Sequence, residues 1–315
     1  MHVQAQGSAV TSSVPRGKRP IDWRRVLTVV LFLSPAIAFY ALLVLFPLVQ
    51  AGYYGLFKWN GLGPATDFIG LDNFRAVLND EIFRKAVSHN LIILALSLFV
   101  QLPLALALAL IVGREMKGRA FFRTIFFLPY VLSEVVTGVV WQFLYQPQSG
   151  INEFLGSIFP SWEPRSWLGN PDTVLYALFV VITWKFIGFH IILYMAGLQG
   201  IPREFEEAAQ LDGASPFRVT RDITIPLLGP TIRLTIFLSA LGSLQFFDLI
   251  WIMTTGGPVN SSHTMATYMY DFGFRRFQLG YGAAVSLIIF VICFGFALVY
   301  QRFVMRRDYD GSTAV

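Results

Sequence analysis

The stretch VLTVVLFLSPAIAFYALLVLFPLV, residues 26–49, contains no charged side chain. A helix needs about 20 apolar residues to cross the hydrocarbon core of a bilayer, so this run is long enough to span one. It is too long for the core of a signal peptide, and no small-residue cleavage site closes it. The stretch therefore predicts a transmembrane helix that the mature protein retains.

Five further apolar runs of sufficient length follow, at residues 91–112, 124–145, 173–199, 234–254 and 281–300, and three of them carry one charged residue each, namely Glu134, Lys185 and Asp248. The runs are continuous and do not alternate, which argues against membrane strands. The chain is 55% hydrophobic and 14% charged, whereas average soluble domains are roughly 25% charged. The sequence predicts an all-α polytopic membrane protein with six transmembrane helices. Residues 26–305 would form the transmembrane domain, residues 1–25 a disordered tail and residues 306–315 a second tail.

The distribution of Lys and Arg predicts the orientation, because cytoplasmic loops are enriched in these residues. If the N-terminus is cytoplasmic, 16 of the 24 lie on the cytoplasmic side and seven outside, while Lys185 lies within a span. We therefore expect a multi-pass protein of a bacterial or archaeal inner or plasma membrane, with both termini cytoplasmic. The basic residues lie in short loops beside apolar runs, so the expected partner is membrane lipid and not nucleic acid.

The longest structured loop on the predicted cytoplasmic side is GIPREFEEAAQLDGASPFRVTRDITIP, residues 200–226. Gly213 can adopt the left-handed conformation that ends a helix. Ser215 can cap a second short helix, with Pro216 at its first position. The loop is thus predicted to be a compact helix–turn–helix. Periodicity alone also fits an amphipathic elbow that lies on the membrane surface.

The order of residues in this loop resembles the EAA loop of ABC importer permeases. That pattern reads Glu-Ala-Ala, three residues, Gly, nine residues, Ile, one residue, Leu, Pro; the chain follows it from Glu207 to Pro226, with Ile225 in place of Leu. Residues 68–74, 122–130, 256–258 and 280–284 also resemble segments of maltose-type sugar permeases. The resemblance covers nearly the whole chain and implies the type I ABC importer permease fold, in its six-span form.

The resemblance implies a permease subunit of an ATP-driven, binding-protein-dependent importer for a sugar or sugar-like solute. The implied partners are a second homologous permease, a cytoplasmic ATPase dimer and an extracytoplasmic solute-binding protein. The sequence contains no Gly-rich phosphate-binding motif, so we expect no cofactor on this chain and no enzyme activity of its own, with ATP and magnesium used by the ATPase. The coupling-loop residues are Glu206, Glu207, Ala208, Ala209, Asp212, Gly213, Ile223 and Pro226. Among them, Glu207 is implied to pair with a basic residue of the ATPase.

Polar and aromatic residues within the fourth and fifth spans form a candidate solute path, since intramembrane charges usually face a cavity or a partner. The resemblance carries the solute contacts onto Trp184, Phe189, Ser239, Ser243 and Phe246, to which Lys185 and Gln245 of the same spans are added. Glu134 or Asp248 is the expected counter-ion of Lys185. For each residue, packing or hydrogen bonding between helices remains the alternative.

Two other classes of function would use the same intramembrane residues or further reactive groups. An ion- or proton-coupled secondary transporter could use Glu134, Lys185, His190 and Asp248 as relays, but the sequence offers no inverted repeat with paired broken helices. A membrane-embedded enzyme would need a cluster of nucleophiles or metal ligands, and the sequence offers neither. No catalytic residue and no metal site are therefore predicted, and Cys293, the one cysteine, is expected to pack among helices.

Overall fold

The computed structural model describes residues 23–113 and 118–305. Over these residues the chain is helical and contains no strand, apart from one isolated bridge between Phe57 and Phe68. The helices, several continued by a short π-helical stretch, are α1 (Trp23–Tyr40, Ala41–Leu45 and Phe46–Tyr54), α2 (Asp72–Asn79), α3 (Glu81–Leu96, Ser97–Gln101 and Leu102–Gly113), α4 (Arg119–Val131), α5 (Glu134–Leu144), α6 (Gly150–Ile158), α7 (Val174–Gln199), α8 (Arg203–Leu211), α9 (Pro216–Val219, Thr220–Thr224 and Ile225–Leu227), α10 (Gly229–Leu244), α11 (Asp248–Thr254), α12 (Met265–Tyr268 and Met269–Arg275) and α13 (Leu279–Tyr300 and Gln301–Met305).

Five helical stretches are long and apolar enough to cross a membrane, and a bent pair makes a sixth. The five are Leu27–Tyr54, Glu81–Val112, Val174–Gln199, Gly229–Thr254 and Leu279–Met305. The all-α, six-span class is thereby confirmed if the bent pair counts as one span. Of the predicted tails, residues 1–22 and 306–315 lie outside the described residues, and α1 already begins at Trp23. The described residues up to Gln50 belong to a unit of their own, in which the apolar side chains are mostly exposed.

The second span begins ten residues earlier than the apolar run suggested, at Glu81. The Asp80 carboxylate accepts a hydrogen bond from the Phe83 backbone N–H at 2.8 Å, which caps the helix. Phe83, Ala86 and Asn90 are then buried in these first turns. Residues 81–90 alternate between polar and buried apolar side chains along the helix, so their average hydropathy is low and the sequence placed them in a loop.

The third and fifth spans are broken. Between α4 and α5 the axis bends by 95° at Leu132 and Ser133, where the backbone is extended. The Ser133 hydroxyl accepts from the Val136 N–H at 3.2 Å and so starts α5. In the fifth span α10 ends at Leu244 and α11 begins at Asp248.

The segments on the predicted outer side are fixed by buried polar contacts. The Asn73 side-chain amide donates to the carbonyls of Gly55 and Phe57, each at 2.9 Å. The Gly280 N–H donates to the Trp59 carbonyl at 2.9 Å, and a Cβ on Gly280 would lie 2.1 Å from the Phe57 carbonyl oxygen. The 55–59 loop is therefore held against α2 and α13 by contacts from residues 68–74 and 280–284.

Candidate functional site

The cytoplasmic loop folds into two helices, α8 and α9, joined by a tight turn at Gly213. Gly213 has φ +83°, its N–H donates to the Gln210 carbonyl at 3.0 Å, and the Ala214 N–H donates to the Ala209 carbonyl at 2.9 Å. This pair of bonds is the Schellman ending of a helix, which favours glycine at the left-handed position. Ser215 then accepts from the Arg218 N–H at 3.4 Å and Pro216 opens α9. The helix–turn–helix prediction is confirmed, although α8 begins at Arg203 because Pro202 remains extended.

The two neighbouring glutamates of α8 have different surroundings. Glu206 is half-buried, and its Oε1 accepts a hydrogen bond from the hydroxyl of buried Thr224 at 2.8 Å. Glu207 is exposed. The first carboxylate thus ties α8 to α9, whereas the second is presented to the surroundings of the loop.

Large apolar side chains are exposed on the same loop. Leu211 is 89% and Phe217 72% exposed, although both lie in a segment expected to face water. A cavity of about 440 Å³ lies between α8 and the adjacent ends of α3 and α7, and its lining includes Arg203, Glu206 and Glu207. Exposed apolar patches rimmed by polar residues are typical of surfaces that contact another protein or a membrane. Of the other loop residues predicted to couple, Ala208, Asp212 and Pro226 are exposed and Ala209 and Ile223 are half-buried.

A second group of candidate residues meets near the breaks in the third and fifth spans. The ring of Tyr130 is stacked on that of Phe189, with centroids 5.2 Å apart and planes at 19°. Phe186 lies edge-on to both Tyr130 and Phe246, with centroids 6.0 Å away in each case. These four rings form an aromatic wall, which we define as Tyr130, Phe186, Phe189 and Phe246. Partly exposed aromatic rings of this kind can pack against the C–H face of a sugar ring.

Charged groups lie beside the aromatic wall. Lys185 is 1% exposed; its ammonium donates to the Leu132 carbonyl at 2.5 Å and lies 3.6 Å from Glu134 Oε1. Glu134 is therefore the counter-ion, one of the two candidates considered. The Glu134 side chain is 31% exposed, and Asp248, at the start of α11, is exposed. Glu134 Oε2 is buried and has no hydrogen-bond partner among the described residues. Asp248 is thus the exposed carboxylate at this place, and it can accept hydrogen bonds from hydroxyl groups.

The remaining predicted path residues lie elsewhere. Ser239 and Ser243 are buried, and the Ser243 hydroxyl lies 3.5 Å from that of Ser97 on α3. Trp184 lies edge-on to Trp141, and Gln245 lines a different cavity, with Cys293 of α13. Of the seven predicted path residues, Lys185, Phe189 and Phe246 are thus brought together. His190 is buried, with its ring against that of Phe189.

Sequence reasoning missed three residues at these breaks. Tyr130 and Phe186 belong to the aromatic wall but looked like ordinary residues of apolar runs. Asn90 is fully buried, and its side-chain amide donates to the Ser243 carbonyl at 2.6 Å, although it lies one residue before the predicted second span. Asn90, Ser97 and Gln101 are spaced by seven and four residues, a helical spacing that could have revealed a polar face.

Comparison with known proteins gives a consistent result. The family model described as binding-protein-dependent transport system inner membrane component matches residues 101–309. The chain is 32% identical to the diacetylchitobiose uptake system permease protein of Streptomyces coelicolor, over 94% of this chain and 88% of that protein. It is 32% identical to the sn-glycerol-3-phosphate transport system permease protein of Agrobacterium fabrum, over 89% and 96%. A chain of a bacterial ABC transporter involved in the import of the acidic polysaccharide alginate superposes with a TM-score of 0.79 at 24% identity, over 90% of this chain and 97% of that chain.

Proposed function

The chain belongs to the family of binding-protein-dependent transport system inner membrane components, and from this we propose that it forms half of the translocation pathway of an ATP-driven importer for a sugar or sugar-like solute. The relatives named above carry diacetylchitobiose and sn-glycerol-3-phosphate, and the solved neighbour carries alginate. These solutes all carry hydroxyl groups, which supports the proposed solute class. Family membership also favours the importer over a secondary transporter that would use Glu134, Lys185, His190 and Asp248.

The proposed assembly contains this permease, a second homologous permease, an ATPase dimer and an extracytoplasmic solute-binding protein. ATP and magnesium would be used by the ATPase. Both termini and the α8–α9 loop would be cytoplasmic, as the Lys and Arg asymmetry indicates. This arrangement would bring the loop, with its exposed Leu211 and Phe217, to the ATPase.

The shape of the α8–α9 loop is the observation that carries the proposal. Gly213 closes the turn, and the contact between Thr224 and Glu206 fastens the two helices to each other. The loop is therefore suited to transmit a displacement without deforming. Glu207 stands exposed for a basic residue of the ATPase, and Leu211 and Phe217 would supply apolar contact area.

The test combines co-purification of the ATPase with uptake of radiolabelled diacetylchitobiose, lactose and sn-glycerol-3-phosphate. Glu207→Lys replaces the proposed attraction between this carboxylate and a basic residue of the ATPase by repulsion. Removing one side of a charge pair that is partly buried at the interface costs about 3–5 kcal/mol of binding free energy. We expect it to lose both ATPase and uptake. Gly213→Val should have the same effect, since a β-branched residue is strained at φ +83°.

Glu81→Lys is the matched control, because it makes the same charge change at an exposed residue on the predicted outer side. It should retain both ATPase and uptake. If Glu207→Lys and Gly213→Val both kept a full complement of ATPase and normal uptake, the coupling role of the loop would be wrong. If the wild-type importer carried none of the three solutes, the proposed solute class would fail while the coupling role could still stand.

We further propose that the aromatic wall, with Glu134 and Asp248 at its edge, lines this subunit's part of the solute path. The wall supplies ring surfaces, and Asp248, which is exposed, supplies a hydrogen-bond acceptor. Trp184, Ser239, Ser243 and Gln245 stay candidates for the same path in a different conformation of the importer.

A further inference from the structure

The break in the third span leaves backbone groups that need partners. α4 ends at Val131 and α5 begins at Glu134, with extended residues between them and an angle of 95° between the helices. The last carbonyls of a helix have no partner within that helix. In the hydrocarbon region each unsatisfied backbone group costs several kcal/mol, because no water replaces the missing donor.

One side chain from another span supplies the missing donor. The Lys185 ammonium, on α7, donates to the Leu132 carbonyl at 2.5 Å and lies 3.5 Å from the Pro129 carbonyl. It also lies 3.6 Å from Glu134 Oε1. Its contacts therefore fall on both sides of the break: the carbonyls belong to the end of the first half, and the carboxylate to the first residue of the second half.

The two halves of the span have different main neighbours. α4 lies so close to α7 that a Cβ on Gly188 would be 1.9 Å from the Phe126 carbonyl oxygen. α5 is fastened to α11, because the Gln142 amide donates to the carbonyls of Ile252 and Met253 at 3.1 and 3.0 Å. α5 also touches α7, because the ring of Trp141 lies edge-on to that of Trp184. Lys185 differs from that apolar contact in meeting polar groups on both sides of the break.

We propose that Lys185 and Glu134 are a positioning pair that holds the third span in its bent form. Lys185 is not a solute ligand, because its ammonium is buried and engaged by the break. By fixing the end of α4, the pair keeps Tyr130 stacked on Phe189 and so maintains the aromatic wall. The wall's contact with solute rests on the proposed function, whereas the bend itself does not.

The bend can be measured as a distance between spin labels. The labels would replace exposed Phe121 and Phe143 in a Cys293→Ala background, in the complete importer reconstituted in lipid nanodiscs. At a rise of about 1.5 Å per residue the two arms are roughly 15 and 14 Å long, so a 95° bend places their ends about 20 Å apart. A straight helix over the same residues would separate them by about 33 Å.

We expect a narrow distribution near the shorter distance in the wild-type protein and in Lys185→Arg, which keeps a cationic donor. Lys185→Met has similar length but no donor, so it should broaden the distribution towards the longer distance. The Lys185→Met substitution should also lower the maximal uptake of whichever of the three radiolabelled solutes the wild type carries best. Val180→Met, at an exposed position of the same helix, should change neither quantity.

Two results would overturn the proposal. One is a Lys185→Met importer whose label distance stays narrow and short; a raised half-saturation concentration in that protein would instead make Lys185 a solute ligand. The other is a long distance between the labels in the protein with native Lys185 and Glu134, a result that does not depend on the folding of any Lys185 variant.

If Lys185→Met does not assemble, Glu134→Gln serves in its place. This substitution keeps an oxygen that can accept from the Lys185 ammonium but removes the counter-charge, so it should add a longer component to the distance distribution. A distribution identical to the wild type in that variant would also refute the pair.

Discussion

Replacing Asn90 by alanine should destabilise the protein more than the small size of the asparagine side chain suggests. The side-chain amide donates to the carbonyls of Ser243 and Leu244 at 2.6 and 3.3 Å, and its oxygen accepts from the Met265 N–H at 2.8 Å. Those two carbonyls end α10 at the break in the fifth span. Asn90 therefore joins α3, the fifth span and α12 from a position with no exposed surface.

The magnitude follows from the groups left without partners. Asn90→Ala orphans two carbonyls and one N–H; each unsatisfied buried group costs roughly 1–3 kcal/mol. Measured hydrogen bonds in membrane proteins average only about 0.6 kcal/mol, because the unfolded chain finds other partners. The contact with the Leu244 carbonyl is long, and the two carbonyls share one amide group. We therefore expect Asn90→Ala to lower the free energy of unfolding by about 3 kcal/mol, near the lower end of the sum.

The assay is thermal unfolding of the purified importer, with Asn79→Ala as the matched control because Asn79 is exposed and ends the helix just before α3. A loss of about 3 kcal/mol should lower the midpoint by several degrees. The control should lie within about 0.5 kcal/mol of the wild type, as surface substitutions usually do. If Asn90→Ala had the same unfolding midpoint as the control, the argument that the Asn90 amide supplies the hydrogen bonds needed at the break in the fifth span would be refuted.

Two further predictions concern orientation and pH. Cysteines at Leu62 and Val259, in the Cys293→Ala background, should react with impermeant thiol reagents in intact cells, whereas a cysteine at Leu211 should not; all three positions are strongly exposed, so the reverse pattern would invert the topology. Burial lowers the pKa of His263 from its ordinary value of 6.5, with Asp271 partly opposing. The unfolded chain then binds more protons below pH 6.5, so stability should fall as pH drops from 6.5 and level off below the folded pKa. His263→Gln should reduce the difference between the unfolding midpoints measured at pH 7.5 and at pH 5.5. An unchanged difference would exclude His263 as its source.

Local chemistry explains which parts of the fold could be predicted. The α8–α9 turn depends on Gly213, Ser215 and Pro216 acting on their own neighbours, so the sequence alone identified it. The break in the third span also has a local signal, Ser133 followed by Glu134, which is a helix start. Within a long apolar run that signal was outweighed by hydropathy, because hydropathy reports whether a segment is apolar and not whether its axis is straight.

The surroundings of the candidate path residues were harder to predict, because helical spacing shows which residues share a face but not which neighbour covers that face. Ser239 and Ser243 do share a face, and that face is turned towards α3. Gln245 and Phe246 follow the end of α10, so the periodicity that relates them to Ser243 no longer holds. Lys185 was correctly singled out as unusual, but its partners on α4 and α5 become visible only when the break is known.

The side chains that satisfy the two breaks also determine when each break can be completed during synthesis. Lys185 lies 53 residues after the Leu132 carbonyl that it serves, so at translation rates of about 5–20 residues per second the acceptor waits several seconds for its donor. Asn90 has the opposite timing, since it is made 153 residues before the Ser243 carbonyl. Before Lys185 is made, the third segment lacks the side chain that holds its bent form, so the bend can be completed only after the fourth segment has been synthesised. The two segments are accordingly expected to reach their final form together, and a stop introduced between them would leave the third segment without its donor.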